Sequence, residues 1–195
     1  MQYSEGKIGR VFALRLEHGD KMPDVLEKFA ADKKIQSGMA IMVGGADDGS
    51  KFVVGPEDGK KMPPVPMIDA LKGVHEVAAV GAIFPDEKGR PQLHMHAAFG
   101  RGGKTKSGCI RAGIVTWHVL EIVLIEIVGL DAFRAHDAQT GFALLRCGRR
   151  RLRHNAAKAA TKERQRQENL ELRNSGKESS QENKILEVYR VKRKT

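Results

Sequence analysis

Two cysteines, Cys109 and Cys147, are too few in 195 residues to make a disulfide framework, and a reducing, cytoplasmic setting is the expectation. No apolar run approaches the roughly 20 residues that a membrane-spanning helix needs. The segment Met1-Gln2-Tyr3-Ser4-Glu5 has no basic patch followed by an apolar stretch, so no signal peptide is read there. The chain also lacks the Gly-Lys-Ser/Thr ending of a Walker loop and the glycine fingerprint of a Rossmann unit with its acidic partner.

What is present divides sharply by charge. The net charge of +10 is carried almost wholly by the last quarter of the chain. Residues 1–147 hold 19 Lys+Arg against 18 Asp+Glu, a net +1. Residues 148–195 hold 15 against 6, a net +9. The first part therefore gains no support as a basic nucleic-acid binder from the overall charge. The second part is rich in Lys, Arg, Glu, Gln and Asn and has few large apolar residues, so we expect it to be disordered or marginally helical.

Within residues 1–147 the patterning is that of strands. Gly9 to Leu16 alternates, and Glu17-His18-Gly19-Asp20 is a turn with Asp20 a plausible N-cap. Pro23 to Lys33 carries Val25, Leu26, Phe29 and Ala30 at helical spacing. Met39–Gly45, Lys51–Gly55, Val74–Phe84 and Gln92–Phe99 read as further strands. Gly59–Pro66 reads as loop or edge, and Gly100–Gly108 and Asp131–Gly141 read as loops. Ile110–Ile127 holds a long β-branched run, and Phe142–Leu145 is a last short strand. The sum is an α+β domain: a mostly antiparallel sheet of about seven strands with one main helix, followed by the basic tail.

Several of these segments together resemble one known family. Leu93-His94-Met95-His96-Ala97-Ala98-Phe99 resembles the His-x-His strand of the plant-and-prokaryote conserved domain, the domain that follows AT-hooks in plant nuclear proteins. Glu76 to Phe84, the turn Gly44-Gly45-Ala46, and Arg10 to Leu16 followed by Gly19-Asp20 match that family in order and spacing. The resemblance implies a homotrimer packed through the sheet and an association with DNA. One departure stands out: where the family usually has Gly-Gly-His-Leu, this chain has Ser107-Gly108-Cys109-Ile110. Gly89-Arg90-Pro91 lacks the first arginine of an AT-hook core and falls in a turn, so it is not read as one.

His94 and His96 are two apart on a strand, so both imidazoles project from one face. A hairpin return through Gly100–Gly108 could bring Cys109 or Arg111 beside them. The set His94, His96 and Cys109 would suit zinc or another divalent first-row metal with an open position. His118, beside Trp117, is the candidate ligand from a neighbouring subunit, and is equally an ordinary core or interface histidine. Arg101, Lys104 and Arg111, with Lys106, could hold a phosphate or carboxylate, or could form a solvated turn. Glu121 and Glu126 are an odd number apart and face opposite sides of a strand, so they are no catalytic pair. In the tail, Arg149, Arg150, Arg151 and Arg153 could contact phosphate backbones without sequence preference.

Three functions fit these features. One is a DNA-associated, regulatory trimeric binding protein. Another is a metal-dependent small-molecule-binding protein or enzyme. The third is an oligomerisation module that gathers tails. The near-neutral domain favours the last two over direct DNA binding by the domain.

Overall fold

The structure, a computed structural model, describes residues 1–148. In chain order the elements are β1 (Lys7–Leu16), β2 (Lys21–Met22), α1 (Asp24–Asp32), β3 (Gly38–Ala46), β4 (Lys51–Pro56), β5 (Pro66–Ala70), β6 (His75–Pro85), β7 (Pro91–Arg101) and β8 (Lys104–Cys109). A single 3-10 turn, Ile110–Ala112, then leads to β9 (Ile114–Val128), β10 (Ala132–His136) and β11 (Ala143–Cys147). Nine strands form one sheet in the order β1-β9-β3-β6-β7-β8-β4-β5, with β2 paired to β9. Every pairing between these strands is antiparallel. The hairpin β10–β11 makes a separate two-stranded sheet. The expected α+β class with one main helix is the class observed.

Alternation along the strands decides which face is buried. Ala40 and Met42 in β3, Val77, Ala79 and Ile83 in β6, Met95, Ala97 and Phe99 in β7, and Leu120, Ile122 and Leu124 in β9 join Leu26 and Ala30 of α1 in one core. Burying such side chains is the main favourable term holding helix to sheet. A polar tie adds direction: the Glu27 carboxylate on α1 accepts a hydrogen bond from the Leu93 backbone N–H at 2.8 Å.

The opposite face is partly bare. Met39, Ile41 and Val43 of β3, Val80 of β6, and Val119 and Val123 of β9 are all exposed. Cross-strand register makes them neighbours, since Ile41 lies between Val123 and Val80. Val80 in turn lies opposite His96, and Ala82 opposite His94.

Four details differ from the sequence reading. Asp20 does not cap the helix; Pro23 occupies that position, because the two-residue strand β2 intervenes. The Asp20 carboxylate instead accepts the Glu17 backbone N–H at 2.9 Å, closing the preceding turn. The polar stretch Gly100–Gly108 is not a loop. β7 runs on to Arg101, and β8 begins at Lys104 after a turn in which Gly102 and Gly103 have φ of 56° and 72°. Two left-handed residues in a two-residue connection match the twist of the flanking strands, and glycine adopts them without strain. The segment Ala132–His136 reads as loop from the sequence yet pairs as β10, and Met67–Ala70, to which the sequence reading assigns no element, pairs with β4 as part of β5. These additions raise the strand count above the seven expected.

Glu126 and Glu121 do face opposite sides. Glu126 is buried and Glu121 exposed. Arg10 grips Glu126 with two bonds, Nε to Oε2 at 2.7 Å and Nη2 to Oε1 at 2.9 Å. The Arg10 backbone N–H adds a third at 3.1 Å. The Arg10 side chain, opposed by partial burial and aided by this backbone bond, lowers the Glu126 pKa to about 2. Glu121 lies between Arg15 and Val43, three strands from the histidines.

Candidate metal centre

The register of β7 and β8 builds the centre. The Gly102-Gly103 turn makes Arg101 and Lys104 partners, and counting back along the ladder sets Cys109 directly opposite His96. Residues opposite one another in a ladder share a face. His94 shares it too, two residues away on the same strand. The donor atoms of His94, His96 and Cys109 all lie within 4.8 Å of one another. The two Nε2 atoms are 3.2 Å apart.

Tetrahedral zinc with ordinary bond lengths separates nitrogen and sulfur ligands by about 3.3–3.6 Å. The histidine pair already has that spacing, and the thiol is within a small side-chain adjustment of it. The donor set, two imidazoles and a thiol, fits zinc or a related divalent metal and leaves a fourth position open. The histidines are exposed, whereas Cys109 is only 6% exposed.

Two glycines permit this packing. A Cβ on Gly81 would strike the Met95 Cα at 2.7 Å and the His94 carbonyl oxygen at 2.6 Å. A Cβ on Gly108 would strike the Val53 carbonyl oxygen, where β8 meets β4. The backbones thus close tightly on both sides of the ligand strands.

A cleft of about 860 Å³ opens beside the cluster. His96, Cys109 and Arg111 contribute its polar side, while Val53, Val54, Pro63, Pro64, Pro66 and Phe142 contribute apolar walls. The turn Thr140-Gly141-Phe142, between β10 and β11, also lines it.

Electrostatically the site is positive. Desolvation first, then the charges of Arg134 and Arg111, hold the His94 imidazole below the ordinary histidine range. Desolvation, then His94 and Arg111, do the same to His96. Both rings therefore stay neutral, the form that binds metal, through neutral pH. Arg134 was not among the residues singled out from sequence. It is buried, and burial together with nearby Arg111 pulls its guanidinium below the usual range, while Cys109 acts in the opposite sense.

The other candidates fall as follows. Of the four basic residues considered for an anion, Arg111 lines the cleft, and Lys106 is paired with Asp69 at 2.7 Å. Arg101 and Lys104 flank the β7–β8 turn at the far end of the hairpin, where Arg101 Nη1 donates to the Val74 carbonyl at 2.6 Å. His118 is exposed on β9 and stacks on His18 with ring centroids 5.3 Å apart. Arg149, Arg150, Arg151 and Arg153 lie outside the described residues.

Comparison with known proteins places this architecture. A metal-containing protein of Archaeoglobus fulgidus is 22% identical with a TM-score of 0.64, the match covering 74% of this chain and 98% of that one. A plant- and prokaryote-conserved (PPC) protein of Pyrococcus horikoshii is 21% identical with a TM-score of 0.63, covering 75% and 97%. A candidate DNA-binding protein of Ralstonia eutropha is 20% identical with a TM-score of 0.57, covering 70% and 90%. These likenesses establish a shared fold. No curated protein matches the sequence. The sequence model of the Plants and Prokaryotes Conserved (PCC) domain matches residues 3–128, and the chain belongs to that family.

Proposed function

We propose that this chain is a trimeric small-molecule-binding protein that holds a divalent metal, zinc foremost, on His94, His96 and Cys109 beside the cleft. The observation that carries the reading is the convergence of three donor atoms within 4.8 Å of one another. The metal would supply Lewis acidity and a coordination position facing the cleft. The histidines and the cysteine would orient it, with the apolar walls of the cleft alongside. The metal-containing relative of Archaeoglobus fulgidus supports the assignment.

The trimer rests on the bare apolar face of β3, β6 and β9, which a second and third copy would cover. Because Val80 and Ala82 on that face lie opposite His96 and His94, the interface would abut the metal centre. Light scattering on the purified chain tests this, and a stable monomer would refute it.

The test of the metal is elemental analysis of the wild type and of the double variant His94→Ala, His96→Ala. Stoichiometric metal in the first and little in the second is the expected result. A wild type that cannot be loaded with zinc would defeat the reading.

A second reading, DNA association, is favoured by the net +9 of residues 148–195 and by the candidate DNA-binding relatives. Such binding would be non-specific and would weaken steeply with salt. Changing Arg149, Arg150, Arg151 and Arg153 to Ser in the full chain, which lowers the net charge of residues 148–195 from +9 to +5, should weaken it strongly in an anisotropy titration. Undiminished binding would move the interface elsewhere.

A further inference from the structure

Three basic side chains gather at a second depression, apart from the metal cluster. A pocket of about 390 Å³ is lined by Lys21, Lys51 and Arg111, with Asp24 its one acid. The three come from separate elements: Lys21 from β2, Lys51 from the start of β4, and Arg111 from the 3-10 turn. The chain around Gly113 fixes their meeting. The Lys51 backbone N–H donates to the Gly113 carbonyl at 2.8 Å, and the Gly113 N–H closes the turn on the Ile110 carbonyl at 2.9 Å. Lys21 lies opposite Val115 in the ladder of β2 and β9. Arg111 thus keeps different basic company from that expected in the sequence. Arg101 and Lys104 stand at the far end of the β7–β8 hairpin, and Lys106 is paired with Asp69.

None of the ion pairs among the described residues uses Lys21, Lys51, Arg111 or Asp24, and all four residues are exposed. Three positive charges against one carboxylate leave the lining with a net +2. A phosphate group carries about −1.5 to −2 near neutral pH and presents three acceptor oxygens. Two ammonium groups act as point charges and one guanidinium as a fork. That set suits several oxygens around one centre better than the two of a planar carboxylate. The size agrees, since about 390 Å³ lies at the small end of ligand pockets and has room for a phosphate with a short body. None of His94, His96 and Cys109 lines this pocket; Arg111 alone is shared with the cleft.

We propose that Lys21, Lys51 and Arg111 bind a phosphate group, free or at the end of a small ester, in the pocket between β2, the start of β4 and the 3-10 turn. The site is separate from the metal cluster and does not depend on it. Asp24 opposes the bound charge, so neutralising it strengthens the site while neutralising any of the three cations weakens it.

The experiment is calorimetric titration of the full-length protein, zinc-loaded and zinc-free, at low ionic strength with inorganic phosphate, glycerol 3-phosphate and acetate. Both phosphates should bind at least about tenfold more tightly than acetate, and the tighter of the two identifies free ion or ester. Lys21→Gln, Lys51→Gln and Arg111→Gln should each weaken the better phosphate by about threefold, and the triple variant by about thirtyfold, with the Tm unchanged. Asp24→Asn should tighten it. Lys104→Gln removes an equal charge at the far end of the β7–β8 hairpin and should change nothing. Residues 148–195 are the same in every variant, so any share of binding that they carry cancels in the comparison. Cation-dependent binding in zinc-free protein would sustain this inference whatever becomes of the metal reading. Binding that disappears with zinc, that falls equally in Lys104→Gln, or that is indifferent to the triple variant would overturn it. Silence from both phosphates at millimolar concentration would do the same.

Discussion

The corner where β1 meets β9 and the packing of β10 near Ala82 each bury part of an ion, and they treat it in opposite ways. At the corner, Arg10 meets Glu126 with both side-chain bonds and a backbone bond, and the carboxylate has no unmet demand. Near Ala82, Arg134 sits buried with an idle Nε, and burial together with the charge of Arg111 lowers its pKa. The first arrangement is complete in the folded chain and serves the fold. The second leaves one donor unmet in the folded chain.

The hardest way to break the contrast is at the metal cluster. Cys109→Ser should lower zinc affinity by more than about a hundredfold, measured by competition with a chromogenic chelator. Glu126→Gln, at the corner, should leave that affinity unchanged. A smaller effect, but one of opposite sign at the two places, is expected in thermal stability. Arg10→Met strands a buried carboxylate and should lower the Tm by roughly 5 °C. Arg134→Met removes an unmet charge and should leave the Tm unchanged or raise it, because an apolar replacement has nothing to satisfy. If both substitutions destabilise alike, the two arginines are equivalent and the contrast fails.

The finest distinction is in acid. The Glu126 pKa is lowered from 4.5 to about 2 in the folded state. Below 4.5 the unfolded chain therefore takes up a proton that the folded chain refuses. The stabilisation from the Arg10 pair is present above pH 4.5 and is lost as pH falls toward 2. Melting temperatures followed over that window should fall less steeply for Glu126→Gln than for wild type. Arg134→Met should follow the wild-type slope, since no carboxylate depends on it.

The sequence carried the sheet better than it carried the site's surroundings. Strands such as Val74–Phe84 and Gln92–Phe99 alternate cleanly because one face is buried, and that pattern is local. Lys104 to Cys109 has no such pattern, since its strand character comes from pairing with β7. Its one local signal was the Gly102-Gly103 pair flanked by Arg101 and Lys104, a two-residue hairpin turn. His94 and His96 were readable as a pair from their spacing, and the family resemblance supplied the rest. Arg134 was invisible: in Ala132-Phe133-Arg134-Ala135-His136 nothing distinguishes it from a solvated arginine. Only long-range packing of β10 near Ala82 buries it.

The three candidate metal donors belong to a single hairpin, Pro91 to Cys109, folded about one two-residue turn. Closing so short a loop takes little chain entropy. The donors can therefore meet as soon as that stretch leaves the ribosome, before β9 exists to complete the sheet. A metal taken up then would pin the register of β7 against β8, and with it the line on which the remaining strands assemble. Seen this way, the ion would act first as a template during synthesis and only later as part of a binding site.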